Sequence, residues 1–169
     1  KALEAIGANA YRLGIEWSRL EPEENVFDDA AIARYRELLS ALRAKKIEPV
    51  VTLFHFTLPV WLADRGGFEA DDAVAQFEDF ARKCGESFGD LVDVWVTVNE
   101  PNVYALQSYN AGIWPPGVKD QKRQTYVYAA LIRAQHEALE AAKEWLEGWA
   151  SAEPYLSTIT AALAQAREA

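Results

Sequence analysis

The sequence has no methionine, one cysteine and two histidines in 169 residues. A chain that opens at Lys1, inside what reads as the end of a helix, and contains no methionine is expected to be a piece of a longer polypeptide or an engineered segment. The lone Cys84 excludes an internal disulfide and fits a reducing, cytoplasmic setting. With one thiol and with His55 and His136 far apart, no cluster has metal-ligand spacing. Neither common glycine-rich phosphate loop occurs, so no nucleotide, cofactor or metal is expected. Positive charge is scarce as well: 17 Lys and Arg stand against 26 Asp and Glu, a net charge of −9. That balance argues against nucleic acid and anionic membrane surfaces, both of which need a basic face. No apolar run reaches membrane length, and nothing at the N-terminus reads as signal-like.

Aromatic and aliphatic residues are plentiful. Half the chain is hydrophobic, with six Trp, seven Tyr and seven Phe, enough for one substantial core and too little for two. Three apolar runs read as strands, at residues 9–15, 47–54 and 91–98. They recur about every 40 residues with a helix between each pair, the βαβ signature of a parallel sheet with right-handed crossovers. The first helix is capped by Asp28 or Asp29 and carries Ile32, Tyr35, Leu38, Leu39 and Leu42 at helical spacing. The second is capped by Asp71 or Asp72 and turns Val74, Phe77, Phe80, Ala81 and Cys84 inward. A long helix over 124–147 follows a loop that reaches to about Gln121. Residues 1–147 therefore form one unit. The tail at 148–169 breaks the rhythm: Ser151 reads as an N-cap with Pro154 in the first turn, and Leu156, Ile159 and Leu163 give a helix with one apolar face, suited to a cap or an association surface.

Each strand ends in polar or aromatic residues: Glu16-Trp17, His55-Phe56 and Asn99-Glu100-Pro101. Ligands of parallel α/β folds lie beyond the carboxyl ends of the strands, so this edge is where chemistry is expected. Along the first strand, Arg12, Gly14 and Glu16 share one face while Tyr11, Leu13 and Ile15 share the other. Glu100, facing inward among aromatic rings, is a candidate acid whose pKa burial would raise. Taken singly, Arg12 and Glu16 read as a structural ion pair, His55 as a core histidine and Glu100 as a surface carboxylate; their convergence on one edge favours a site. His136 reads as structural, Cys84 as packing, and Trp17, Trp61 and Trp95 as core or wall aromatics.

Four blocks together resemble glycoside hydrolase family 1, the β-glucosidases, β-galactosidases and their relatives. They are Asn9-Ala10-Tyr11-Arg12-Leu13-Gly14-Ile15-Glu16-Trp17-Ser18-Arg19, Pro49-Val50-Val51-Thr52-Leu53-Phe54-His55-Phe56-Thr57-Leu58-Pro59, Thr97-Val98-Asn99-Glu100-Pro101-Asn102 and Trp114-Pro115-Pro116-Gly117. The resemblance implies a partial (β/α)8 barrel containing the second to fourth strands, with Glu100 as general acid/base. It also implies that Asn99 contacts sugar and nucleophile, that Arg12 stands beside the nucleophile carboxylate, and that His55 binds glycone hydroxyls. Phe56 stands where many members carry tryptophan, and Trp114 lies in the entrance loop. The family's Glu-Asn-Gly nucleophile motif is absent, and Glu16 is the nearest substitute. The expected activity is hydrolysis of β-linked glucosides or galactosides with retention, completed by strands from a homo-oligomer or a complementing barrel fragment. The contrasting expectation is a non-catalytic half-barrel-like piece that self-associates.

Overall fold

The computed structural model describes residues 2–143, and the helical tail expected at 148–169 lies outside them. In chain order the elements are α1 (Ala2–Ala5), β1 (Ala10–Gly14), α2 (Trp17–Leu20), α3 (Asp29–Ala44), β2 (Glu48–Phe54), α4 (Val60–Asp64), α5 (Ala73–Phe88), β3 (Val94–Val98), α6 (Pro101–Ala105) and α7 (Gln121–Lys143). A 3₁₀ turn at Gly67–Glu69 precedes α5, and a π-helical turn at Leu106–Asn110 continues α6. The sheet order is β1-β2-β3, with both pairings parallel.

The register decides which residues face what. Arg12 lies opposite Val50 and Val50 opposite Val94; Gly14 lies opposite Thr52 and Thr52 opposite Val96. Of this set Arg12, Gly14 and Val94 are exposed, and only Thr52 is buried. The alternate set Leu13, Val51 and Trp95 packs into the core, with Val51 fully buried. Helices α3, α5 and α7 cover that second face, leaving the first open among the described residues.

The covered side is held by aromatic packing. Trp17 stacks on Phe80 at 5.0 Å between ring centroids and contacts Phe77 and Trp61. Phe54 meets Phe68, Phe77 and Tyr104 edge-on. The helical spacing of Leu39 and Leu42, and of Phe77, Phe80, Ala81 and Cys84, places all of them in this core. Leu38, expected to join them, is exposed because it lies beside the apolar stripe of α3 rather than on it. Burial pushes the Cys84 thiol well up, as befits a packing residue.

Local chemistry explains the element ends. The Asp28 carboxylate accepts from the N–H groups of Ala30 and Ala31, capping α3. Asp72 precedes α5 but makes no cap bond; its carboxylate pairs with Arg65 instead. Gly7 stops α1 in the left-handed region, at φ 69°. β3 begins at Val94 rather than 91, because Leu91 donates its N–H to Phe88 O at the end of α5 and lends its carbonyl to Arg43. α7 begins at Gln121 rather than 124, because Asp120 Oδ1 accepts from Lys122 N and Arg123 N. Much of the stretch expected to be a loop after β3 is α6 and the π turn.

One buried carboxyl lies in the loop after β1. Glu21 is 2% exposed and accepts from Trp17 Nε1 at 2.7 Å and from Asn25 N at 2.8 Å. Burial pushes this carboxyl up, outweighing both donors, and the negative Asp79 and Glu24 add to the rise. The native state therefore holds this proton more tightly than the unfolded chain does. Its contribution to stability is full below the ordinary value of 4.5 and is lost as pH rises through the raised native value. Glu21→Gln removes that titration. In urea melts between pH 4 and 7, the stability of the variant relative to the parent is expected to improve steadily with pH. A gap that stays constant would show that Glu21 does not titrate in this window.

Candidate active site

The open face and the carboxyl edge of the sheet meet at Arg12. Its guanidinium donates from Nη2 to Asn99 Oδ1 at 2.6 Å and from Nε to Thr52 Oγ1 at 2.9 Å. One side chain from β1 thus reaches across β2 to the end of β3, joining residues 87 apart in the chain. Thr52 is buried, and its hydroxyl fixes one edge of the arginine fork; Asn99 fixes the other. Asn99 is itself anchored, since its N–H donates to Phe54 O at 2.9 Å. The expected ion pair between Arg12 and Glu16 does not form. Glu16 accepts from Thr57 Oγ1 at 2.6 Å and from Ser18 Oγ at 3.3 Å, which fastens the loop after β2 to the end of β1.

Glu100 follows Asn99 directly and stands at the N-cap of α6 in the left-handed region, at φ 41° and ψ 61°. Its carbonyl accepts from Val103 N and Tyr104 N, while its carboxylate caps nothing. The enclosed aromatic setting expected around this carboxyl is not formed by the described residues, in which Glu100 is exposed. Pro101 opens the helix where a missing N–H costs nothing, so the strand turns sharply outward at the carboxyl group. His55 is exposed on the same edge rather than buried as a core histidine, with its ring perpendicular to Phe56 at 4.9 Å.

Phe56 and Trp114 are brought together, with ring centroids 5.0 Å apart. They belong to the wall of a cavity of about 480 Å³, also lined by Leu58, Tyr104, Tyr109 and Pro116. Gly67 closes its floor: a side chain there would come within 2.9 Å of Leu58 Cδ1, and the residue is left-handed at φ 61°. Burial pushes the phenol of Tyr109 up to about 12 and that of Tyr104 upward too, so both hydroxyls stay protonated donors near neutral pH. Arg123 and Glu69 form a 2.7 Å ion pair that also lines the cavity. Arg12, His55, Asn99 and Glu100 do not line it. The edge therefore has two parts: a polar row across the strand ends, and an apolar chamber behind Phe56. Among the described residues no group of three His, Cys, Asp or Glu could hold a metal ion, and no helix is long and apolar enough to cross a membrane.

Sequence reasoning did not single out Thr52, Tyr104 or Tyr109. A threonine inside an apolar run, in register with a charged residue of the neighbouring strand, was the available signal for Thr52. For Tyr104 the signal was Pro101, which marks a helix start and places residue 104 one turn beyond Glu100.

The model of glycosyl hydrolase family 1 matches residues 1–162. The cytosolic beta-glucosidase of Homo sapiens is 36% identical over 120 residues, covering 70% of this chain and 26% of that protein. The coniferin beta-glucosidase of Pinus contorta is 43% identical over 116 residues, covering 68% and 23%. Among solved structures, a beta-glycosidase from Pyrococcus horikoshii superposes with a TM-score of 0.82 at 38% identity, over 85% of this chain and 34% of that one. A beta-glucosidase from Thermotoga maritima in complex with glucoimidazole gives 0.83 at 32%, over 86% and 33%. The chain thus spans about a quarter of these curated relatives and a third of these solved structures. It belongs to glycosyl hydrolase family 1, and its three parallel strands with their helices are part of that family's (β/α)8 barrel.

Proposed function

We infer that this chain carries the general acid/base side of a retaining β-glycosidase site acting on β-glucosides or β-galactosides. The observation that carries the reading is the Arg12–Asn99 hydrogen bond, which fixes a cation on the residue next to Glu100 in the chain, at the carboxyl edge of the sheet. Retaining hydrolysis needs two carboxyl groups about 5–5.5 Å apart, one protonating the leaving oxygen and one attacking the anomeric carbon. Glu100 takes the first role and later activates the water that releases the sugar. Arg12 stands ready for an anionic neighbour, with Thr52 and Asn99 holding its fork. His55 and Asn99 supply hydrogen bonds to the glycone, while Phe56 and Trp114 present rings to the substrate. The chamber behind those rings suits an apolar aglycone, because most of its lining is aromatic or aliphatic, with the Arg123–Glu69 pair as its charged part.

The attacking carboxylate is the missing part. No Glu-Asn-Gly occurs in the sequence, and Glu16 is occupied by Thr57 and Ser18. Turnover therefore requires further strands, from a second copy or a complementing part of the barrel, acting in a cytoplasmic setting. The single buried cysteine and the likeness to a cytosolic enzyme support that setting. The second reading, a non-catalytic piece that self-associates, draws on the two sheet edges left unpaired among the described residues and the exposed Tyr11 and Val94 beside them.

The deciding experiment is light scattering on a sizing column, with an aryl β-glucoside assay on each peak. Activity confined to an assembled species supports completion of the site by added strands. An assembly without activity, alone or after addition of the rest of a family 1 barrel, supports the second reading. Ordinary turnover by a monomer would overturn the assignment of the nucleophile to other strands.

A further inference from the structure

Phe54 and Val98 are partners in the β2–β3 register. Two residues beyond each, the chain adopts a left-handed conformation at a residue that is not glycine: Phe56 at φ 78° and Glu100 at φ 41°. A bulky aromatic residue in that region is uncommon and must be held there by its surroundings. Neighbouring parallel strands therefore break at matching points, each by a turn its own residue disfavours.

Tyr104 touches both turns. Its ring lies nearly parallel to that of Phe56, at 6.3 Å and 14°, and contacts Phe54 and Tyr109 from other sides. Its N–H donates to the carbonyl of Glu100 at 3.2 Å. It is 3% exposed. We propose that Tyr104 is a positioning residue of this site: it clamps Phe56 in its left-handed turn and ties that turn to the one that aims Glu100. The role of Glu100 rests on the reading above; the clamp itself does not.

The test is amide hydrogen exchange on the chain as it stands, with Tyr104→Phe, Tyr104→Leu and Phe56→Leu. Tyr104→Phe keeps the ring and is expected to leave exchange at Val103 and residue 104 within about twofold of the parent. Tyr104→Leu is expected to speed both by about tenfold or more, with amides of α5 changing less than about twofold. Phe56→Leu removes the same contact from the half-buried side, should do the same, and remains informative if Tyr104→Leu does not fold. Phe56→Gly is then added to parent and Tyr104→Leu, because glycine adopts this φ without steric cost. Its lowering of the urea midpoint should be at least halved in the second background. Unchanged exchange at Val103, an equal rise throughout α5, or equal midpoint shifts in both backgrounds would each overturn the clamp. The readout needs no turnover, so absence of hydrolysis would count against the preceding reading alone.

Discussion

Replacing Glu100 by Gln is expected to slow hydrolysis of an alkyl β-glucoside by about 10²–10⁴-fold, the usual contribution of a positioned general acid. The assay belongs on whichever species of the sizing experiment turns over. Glutamine keeps the shape of the side chain and cannot deliver a proton to the departing oxygen. The effect should depend on the leaving group. A dinitrophenyl glucoside departs without protonation, so the first step of its hydrolysis should be nearly unaffected. The second step, in which Glu100 would activate water, should slow, and a burst of dinitrophenol should precede a slow steady state. Equal loss on both substrates with no burst would mean that Glu100 acts through structure and that the acid lies elsewhere.

The largest effect on folding is expected from Trp17→Ala. Trp17 is 1% exposed, packs on Phe77, Phe80 and Trp61, and donates Nε1 to the buried Glu21. Truncating a buried tryptophan costs about 3–5 kcal/mol, and a buried carboxyl left without its donor adds about 1–3 kcal/mol. Against a typical stability of about 5–15 kcal/mol, a loss of that size should lower the urea midpoint by roughly half, as read by circular dichroism at 25 °C. Trp17→Phe keeps most of the ring packing, loses only the donor, and should stay folded with a lowered urea midpoint. A folded Trp17→Ala with a midpoint near that of the parent would show that the aromatic cluster is not what holds the helices to the sheet.

Apolar runs and helical spacing were sufficient to place the three strands and the buried faces of α3 and α5, since burial of one face against another is what those patterns encode. The same patterns cannot show which polar groups meet. Taken alone, Arg12 reads as the ion-pair partner of Glu16 on the same strand face, yet it binds Asn99 and Thr52, which only the parallel register brings alongside. Pro101 was read as the end of a strand and was equally the start of α6, so Tyr104 went unnoticed. The chamber behind Phe56 was illegible for a different reason: its walls come from the segments after β2, the 3₁₀ turn, α6, the Pro115-Pro116 loop and α7, and no local pattern links them.

The open and covered faces of the sheet have an evolutionary corollary. Substitutions at exposed Gly14 or His55 disturb little of what keeps the chain folded and are usually within about 0.5 kcal/mol, whereas truncations on the helix-covered side cost several times more. A lineage built on this piece can therefore drift on its open face while its foundation stays fixed. Divergence should pool on one side of a single sheet, and adjacent residues along the same strand should age at different rates.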